Sequence, residues 1–396
     1  MQIIEKLNKY SKEVIESEPK LFNINNSTDV KKISSLLESG KIQQVIDDYI
    51  EQCKELFASK NPTLVYNPEF EQKFETYLKN LKSESPLSNQ GNWVYFPWLS
   101  TLVHILTEED FFEVRTSRNR NLINSVEQNK FYNSTVGIGG LSVGSAIAMA
   151  IVLQGGAKYL KLADMDVLAL SNTNRIRTGV NNLGIRKVEM VARQVYEINP
   201  YAKIELFTDG ITEKNIEEFF VGKKKLDVVI DEMDNLAVKY LFREKAKKYK
   251  LPIVMAADNG DNGVVDIERY DLNPDMPFFH DRMGKISYGS LKGLDKFSTG
   301  RMITKHVGPE NVTERMQNSL VEMGKTIVSW PQLGGAGLLN GAAVAYCVRK
   351  ILNNQPLELN RAIISLDEKL IPNYNSKEEV ANRNKVSEAF KKIFNL

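Results

Sequence analysis

Short apolar runs alternate with amphipathic segments through the middle of the chain. The runs predict strands, at 135–138, in a stretch ending at Asp164, and at 202–207, 226–234, 252–257 and 263–271. Between them, apolar residues recur every three or four positions and predict helices, at 185–198, 212–220 and 236–249. Strands that alternate with helices predict an α/β protein with a Rossmann-like, doubly wound and mainly parallel sheet, covered by helices on both faces.

The pattern changes before this region. Residues 1–86 are predicted to form a mostly helical N-terminal region, because 47–57 and 70–81 carry apolar residues at helical spacing. A polar stretch follows and predicts a boundary. We read residues 87–126 as an arm or linker and residues 127–396 as one α/β domain.

The alternation also weakens within the α/β domain, over residues 273–330. This segment is polar, contains several glycines and is longer than most connections in a compact domain. We interpret it as a crossover segment that is functional, mobile or both. After it, small residues at 336–352 predict a helix suited to close packing, and a strand at 362–366 and a helix at 378–394 follow.

The first strand of the domain runs into a glycine turn that is typical of a nucleotide site. Gly137, Gly139 and Gly140 would let the backbone approach a phosphate group, whose charge is favoured by the positive end of the following helix. The G-x-G-x-x-G pattern would need a third glycine where the chain has Ser142. Asp164, at the end of the second strand, can accept hydrogen bonds from ribose hydroxyls. These residues alone fit an NAD-dependent oxidoreductase as well as an ATP-binding enzyme.

Polar residues further along favour a nucleoside triphosphate. Arg175 and Lys187 can offset phosphate charge, Asn172 can donate to a phosphate oxygen, and Asp234 can hold Mg2+, which prefers oxygen ligands. Asp166 makes a D-x-D pair with the ribose-binding carboxylate. Each residue has an ordinary alternative: a surface charge for Arg175, a first-turn helix residue for Lys187 and a helix N-cap for Asp234. Their occurrence together, in this order, is what favours ATP.

Residues 115 to about 270 resemble the adenylating domain of the E1-like (ThiF–MoeB–HesA) superfamily, which includes ubiquitin-activating enzymes and bacterial enzymes of thiamine and molybdopterin synthesis. Six short motifs carry the resemblance. They are Asn119-Arg120, the glycine turn Gly137/Gly139/Gly140, Asp164/Asp166, Ser171/Asn172/Arg175, Lys187 and Asp234-Asn235. The match covers roughly two fifths of the chain, and its motifs are specific in combination.

The resemblance implies an enzyme that uses ATP and Mg2+ to adenylate a carboxylate, with release of pyrophosphate. It implies catalytic roles for Arg120, Arg175, Lys187 and Asp234, with Asp234 as the metal ligand. It also implies a homodimer, in which Arg120 reaches the active site of the partner subunit. The substrate implied is the C-terminus of a ubiquitin-like carrier or a small carboxylate, including an amino acid, a peptide or a modified nucleoside. A non-catalytic scaffold with this fold stays a further alternative.

The cysteines of this chain differ from the pattern of the family. The paired C-x-x-C zinc motifs of many bacterial relatives are absent, and the crossover segment has no cysteine. Cys347 lies in an apolar helix and is read as a core residue, and Cys53 is too far away in sequence to suggest a disulfide framework. We therefore expect no covalent thioester or persulfide step.

Composition and charge narrow the class of protein further. The formal net charge is +2, from 52 basic and 50 acidic residues, so nucleic-acid binding is not expected to be the main role. The start of the chain lacks the apolar segment of a signal peptide, and no apolar run approaches the ~20 residues of a membrane span. The cytoplasm is the default expectation.

Three further residues are interpreted as structural or surface residues. His104, in an apolar run, is interpreted as structural, and Arg115 and Arg118 are expected to form surface ion pairs.

Overall fold

Two sheets organise the part of the chain that the computed structural model describes, which is residues 3–4 and 16–396. One unit is formed by Met1–Ser125 together with Tyr196–Tyr201, and the other by Val126–Val195 together with Ala202–Leu396. Most of the first 16 residues, which carry the expectation about a signal peptide, lie outside the described residues. No helix of the described part is both long and apolar enough to cross a membrane.

The first unit contains a four-stranded sheet with the order β1-β3-β4-β2. Its strands are β1 (Lys20–Phe22), β2 (Gln44–Asp47), β3 (Asn92–Phe96) and β4 (Thr101–Ile105). Its helices are α1 (Ser27–Glu38), α2 (Tyr49–Lys60), α3 (Phe70–Glu84) and α4 (Glu108–Thr116). One-turn 3-10 helices lie at Pro62–Leu64, Leu87–Asn89, Pro97–Leu99 and Ser117–Asn119.

Two predictions for this unit need correction. The predicted helical region at 1–86 contains β1 and β2, which are too short, and in the case of β2 too exposed, to show an alternating pattern. The predicted arm or linker at 87–126 contains β3, β4 and α4, so it contributes two strands and a helix to the first unit. Partners that are distant in sequence define these strands, because β3 pairs with β1 and β4 pairs with β2.

His104 is a structural residue, as its apolar surroundings predict. Its ring lies between the rings of Tyr49 and Trp93, with centroids 4.1 and 4.4 Å away. Its Nδ1 is 2.8 Å from Oδ1 of Asp47, and its Nε2 is 2.8 Å from the backbone oxygen of Gln90. The imidazole is completely buried and links β2, β3 and β4.

The second unit is a seven-stranded sheet with the order β11-β10-β9-β8-β5-β6-β7. Its strands are β5 (Thr135–Gly139), β6 (Tyr159–Ala163), β7 (Lys203–Phe207), β8 (Val228–Asp231), β9 (Pro252–Asn259), β10 (Asn262–Arg269) and β11 (Arg361–Ile364). Strands β5 to β9 are parallel, and β10 and β11 add antiparallel strands at one edge. The predicted Rossmann-like, mainly parallel sheet is confirmed.

Helices connect these strands and cover the sheet. They are α5 (Ser125–Tyr132), α6 (Val143–Leu153), α7 (Lys187–Ile198), α8 (Ile216–Val221), α9 (Leu236–Tyr249), α10 (Tyr288–Leu291), α11 (Lys296–Val307), α12 (Glu314–Glu322), α13 (Gly334–Leu352), α14 (Leu366–Leu370) and α15 (Lys377–Phe394). Single 3-10 turns occur at Leu170–Asn172, Val180–Asn182, Phe278–Asp281 and Pro309–Asn311.

The order of the strands creates a switch point beside β5. Strand β5 pairs with β6 on one side and with β8 on the other, and Gly139 is in register with both Ala163 and Asp231. The chain leaves β5 towards β6 and β7, and later returns to β8 and β9. In open α/β sheets, ligands bind at the carboxyl ends of the strands where this reversal occurs.

The small-residue helix packs closely, as predicted. A Cβ at Gly341 of α13 would lie 2.9 Å from the backbone carbon of Ala146 in α6, so this approach requires a residue without a side chain. Cys347 is buried on the same helix, and burial raises the pKa of its thiol to about 11. The structure therefore agrees that Cys347 is a core residue.

The crossover segment at 273–330 is more regular than its sequence indicates. It contains α10, α11 and α12, and Val307, Val312 and Leu320 pack with Val264 and Phe390 into one apolar cluster. The helical pattern is hard to see because each helix is short and turns the apolar side chains toward partners far away in sequence. His306 is held by an Nε2 contact of 2.9 Å to Asp266, and so has a structural role.

Candidate nucleotide-binding site

The turn after β5 requires glycine at position 140. Gly140 has φ of +85°, which L residues with a side chain rarely adopt, and a Cβ there would lie 2.3 Å from the backbone oxygen of Glu232. Its N–H donates to the backbone oxygen of Ala163 at 2.8 Å. The turn is thus pressed between the ends of β6 and β8.

Gly137 and Gly139 have a packing role that was not predicted from the sequence. Both lie inside the buried strand β5. A Cβ at Gly137 would be 2.6 Å from Leu226, and one at Gly139 would be 2.9 Å from Phe242. Their lack of a side chain is therefore explained by the core, and Gly140 is the glycine of this group that shapes the turn.

Asp164 joins the glycine turn to the loop after β6. Its Oδ2 accepts a hydrogen bond from the backbone N–H of Leu141 at 2.7 Å, and its Oδ1 accepts from the N–H of Asp166 at 2.9 Å. Only 8% of the side chain is exposed. Burial raises the pKa of this carboxyl, and the charge of Lys187 offsets part of that effect.

Lys187 completes a charged group at the same place. It begins α7, and its Nζ is 2.8 Å from Oδ2 of Asp166 and 3.8 Å from Oδ2 of Asp164. The side chain is 8% exposed, whereas that of Asp166 is 64% exposed. The structure therefore brings Lys187 next to two predicted site residues that lie more than twenty positions earlier in the sequence.

The side chain of Arg175 lies beside the first turn of α6, the helix whose N-cap residue is Ser142. Its Nε donates to Oγ of Ser142 at 2.8 Å, and its Nη1 donates to Oδ1 of Asn174 at 3.0 Å. Burial lowers the pKa of the guanidinium, while the nearby charges of Asp234 and Asp258 oppose this effect. The N–H groups in the first turn of a helix lack partners within the helix, so this is a favourable place for an anion.

The side-chain oxygen of Asn172 stabilises the 3-10 turn Leu170–Asn172, to which this residue belongs. Its Oδ1 accepts from the backbone N–H of Ala169 at 3.1 Å. Its Nδ2 makes no hydrogen bond to any residue that the structure describes, so the amide can still donate to a ligand.

Asp234 is exposed at the end of β8 and makes neither a hydrogen bond nor an ion pair within residues 3–4 and 16–396. The helix N-cap proposed as its alternative role is Asn235, whose Oδ1 accepts from the N–H groups of Ala237 at 3.0 Å and Val238 at 3.2 Å. The described residues contain no group of three or more His, Cys, Asp or Glu side chains that could hold a metal ion. A Mg2+ ion here would need oxygen ligands from a nucleotide, as is usual for this ion.

Arg120 belongs to the first unit and forms an ion pair there. Its Nη2 donates to Glu113, and its Nη1 donates to the backbone oxygen of Ser59 at 3.1 Å. Arg115 donates to the backbone oxygen of Ile198 at 3.1 Å, also within the first unit. This contact of Arg115 is with a backbone oxygen, so it is not the ion pair expected from the sequence.

Asp258 is a site residue that the sequence reading missed. It lies near the end of β9, where its Oδ1 accepts from Nδ2 of Asn340 at 2.7 Å and its Oδ2 accepts from Nε2 of Gln332 at 3.2 Å. Burial raises the pKa of the carboxyl. An acidic residue directly after the predicted strand 252–257 was the signal that could have revealed it.

The region around the glycine turn is similar in sequence to a known protein family. Residues 116–281 match the model of the ThiF family. The match covers less than half of the chain, and it confirms the E1-like resemblance that the motifs indicated.

Three relatives show how far the similarity extends. The chain is 35% identical over 308 residues to the Mycobacterium tuberculosis protein "Uncharacterized protein MT1398", covering 77% of this chain and 42% of that protein. It is 32% identical over 127 residues to the tRNA threonylcarbamoyladenosine dehydratase of Escherichia coli, covering 32% of this chain and 45% of the enzyme. A probable molybdopterin-synthase adenylyltransferase of Porphyra purpurea is 26% identical over 149 residues, 37% of each chain. The chain thus spans less than half the length of each of these relatives.

Proposed function

We propose that this protein is an ATP-dependent adenylyltransferase that activates a carboxylate. The observation that carries the proposal is the grouping of Asp164, Lys187 and Arg175 around one glycine turn at the switch point of the sheet. Asp164 bonds to the turn, Lys187 lies 3.8 Å from Asp164, and Arg175 bonds to the N-cap of the helix that the turn opens. The ThiF family match supports the same reading.

The reaction proposed is a displacement at the α-phosphorus of ATP. A carboxylate oxygen of the substrate forms a bond to this phosphorus, the bond to the bridging oxygen breaks, and pyrophosphate leaves with the electron pair. The product is an acyl-adenylate. Asp164 would hold the ribose, while Asn172, Arg175 and Lys187 would stabilise charge on the phosphates, so that catalysis is by positioning and electrostatics.

Mg2+ and a partner subunit complete the proposal. Asp234 would contribute a carboxylate to Mg2+, which supplies charge neutralisation at the phosphates. Arg120 would act in the active site of a second copy in a homodimer. The ion pair with Glu113 would then have to open, or the same guanidinium would serve both contacts.

The substrate carboxylate is the C-terminus of a ubiquitin-like carrier or a smaller carboxylate. One relative is named as a dehydratase of a modified tRNA nucleoside and another as an adenylyltransferase for molybdopterin synthase. Both cysteines are buried, and burial raises the pKa of each thiol to about 11, so the proposal includes no thioester step. Ubiquitin-like modifier activation is therefore proposed only as far as the acyl-adenylate.

ATP–pyrophosphate exchange tests the proposal directly. Exchange should appear only when a suitable carboxylate is added, and the panel should contain carrier C-termini, amino acids, peptides and carboxylated nucleosides. Absence of ATP binding at millimolar concentration with Mg2+ would refute the proposal. A thermal shift with NADH and none with ATP would favour the oxidoreductase alternative, and unchanged cellular activity of Arg175→Ala would favour the scaffold.

Two variants test the metal and the partner subunit. Asp234→Ala should weaken ATP binding in Mg2+ but leave binding in EDTA unchanged, which isothermal titration calorimetry measures. Mixing inactive Arg120→Ala with inactive Lys187→Ala should restore activity in hybrid dimers, because one site then has both residues intact if Arg120 acts across the dimer. A mixture that stays inactive would contradict the action of Arg120 in the partner's site.

A further inference from the structure

Ser142 stands where the G-x-G-x-x-G pattern has its third glycine, and it has a partner that a glycine could not bind. Its Oγ accepts a hydrogen bond of 2.8 Å from Nε of Arg175. Ser142 is also the residue that begins α6, and it makes no side-chain bond to the backbone of that helix. The hydroxyl is therefore used for the arginine and not for capping.

A second set of contacts reaches Arg175 from the opposite direction. Nη1 of Arg175 donates to Oδ1 of Asn174 at 3.0 Å, and Nδ2 of Asn174 donates to the backbone oxygen of Gln332 at 2.8 Å. Nε2 of Gln332 in turn donates to Oδ2 of Asp258 at 3.2 Å. The second oxygen of Asp258 accepts from Nδ2 of Asn340, which is completely buried. This series of hydrogen bonds ties the guanidinium to the end of β9.

These contacts leave one nitrogen of Arg175 for a ligand. Nε and Nη1 have protein partners, whereas Nη2 has no hydrogen bond to the described residues. An arginine side chain loses rotamer entropy when it is ordered, and a site that orders it in advance avoids that cost during binding. The same contacts fix the direction of the remaining N–H groups.

We propose that Ser142 and Asp258 are positioning residues that preset Arg175 to bind the β- and γ-phosphates of ATP through Nη2. Ser142 acts directly on Nε, and Asp258 acts through Gln332 and Asn174. The proposal rests on the proposed ATP-binding function. It assigns a binding role to Ser142, the position at which the chain departs from the glycine pattern.

The test compares the affinities for ATP and AMP, since AMP lacks the β- and γ-phosphates. In calorimetric titrations with Mg2+, Ser142→Ala and Ser142→Gly should bind ATP roughly five- to tenfold more weakly, which is within the range for one ordinary hydrogen bond, because Ser142 acts on ATP only through Arg175. Affinity for AMP should stay within about twofold. Ser142→Thr keeps the hydroxyl and should restore most of the ATP affinity.

Ser145→Ala is the matched control. It removes a hydroxyl from the same helical turn, where Oγ donates to the backbone oxygen of Ser142 and does not contact Arg175. Its ATP affinity should match that of the wild type. Asp258→Ala should weaken ATP binding roughly threefold, less than Ser142→Ala, because two residues separate Asp258 from Arg175.

A double mutant separates positioning from a general structural effect. In an Arg175→Ala background, Ser142→Ala should cause no further loss of ATP affinity, because its target is gone. Equal losses for ATP and AMP, or an additive loss in that background, would overturn the proposal. A wild type that binds ATP, with a Ser142→Ala variant that binds it equally well, would overturn the proposal alone. A wild type that does not bind ATP would overturn the proposed function as well.

Discussion

Two charged clusters lie at the end of β8, and they differ in whether their charges are compensated. In the first, Asp231 is completely buried, with Oδ2 2.6 Å from Nη1 of Arg243 and Oδ1 3.1 Å from Nζ of Lys239. Nη2 of Arg243 is 2.8 Å from Glu268, which also accepts from the hydroxyl of Tyr270 at 2.7 Å. Each charge in this network has a protein partner of opposite sign.

The second cluster is the candidate site, where Asp234 lies only three residues after Asp231. Burial alone would raise the pKa of Asp231, but Lys239 and Arg243 lower it below its ordinary value. In the site, by contrast, burial raises the pKa of Asp164 and lowers that of Arg175, because their partners compensate only in part. Shifts that disfavour the charged forms mark groups able to gain from a ligand, and such groups concentrate at functional sites.

The largest effect, on stability, should come from removing Arg243 from the buried network that it forms with Asp231 and Glu268. Arg243→Met leaves Asp231 and Glu268 buried without their shared partner, and removing one member of a buried ion pair costs about 3–5 kcal/mol. The free energy of unfolding in urea measures this loss. Lys245→Met, on the same helix but in a surface ion pair with Glu217, is the control and should change stability little. Similar stability of the two variants would contradict the distinction between the clusters.

Removal of a charge from the site should affect ligand binding more than stability. Lys187→Ala should weaken ATP binding roughly 10- to 100-fold, the value of one or more lost contacts to a charged group. Calorimetry with ATP and Mg2+ measures the affinity, and the unfolding temperature without ligand should fall by only a few degrees. Lys203→Ala, at an exposed position of β7, should keep both values. Loss of stability without loss of affinity would show that Lys187 has a structural role and does not bind ATP.

The smallest effect should be on the pH dependence of stability, through Glu232, which follows Asp231 directly in the sequence. Glu232 is half-buried as a whole, but burial of its carboxyl raises the pKa well above its usual range, and Oε1 accepts from the N–H of Ala256 at 2.8 Å. A raised pKa gives stability that is complete below the ordinary value and is lost as pH rises through the folded-state value.

The unfolding temperature of Glu232→Gln should therefore fall less than that of the wild type as pH increases from acid to alkaline. Each kcal/mol of difference corresponds to about 2–4 °C in a domain of this size. The exposed Glu244→Gln is the matched control, and its curve should run parallel to that of the wild type. Parallel curves for Glu232→Gln would show that the pKa of this carboxyl is the same in the folded and unfolded protein, which would contradict the prediction.

Much of the second unit could be predicted because its signals are local. The strand, glycine turn and helix around Gly140 follow from apolar runs and backbone freedom in adjacent residues. Asp164 and Asp234 could be placed at one edge of the sheet, because each ends a predicted strand and parallel strands share the direction of their carboxyl ends. The first unit was less accessible, since β1 and β2 become strands only through pairing with β3 and β4.

The class of fold, the glycine turn and the charged residues that follow it could all be inferred from the sequence. Tertiary contacts separate the charged residues that are paired inside the core from those that are available to a ligand. Asp231 and Asp234 cannot be told apart by residue type, and their burial separates them. The contacts between Arg175, Gln332 and Asp258 join segments more than seventy positions apart, and no local pattern encodes such contacts because they depend on where the helices and strands pack.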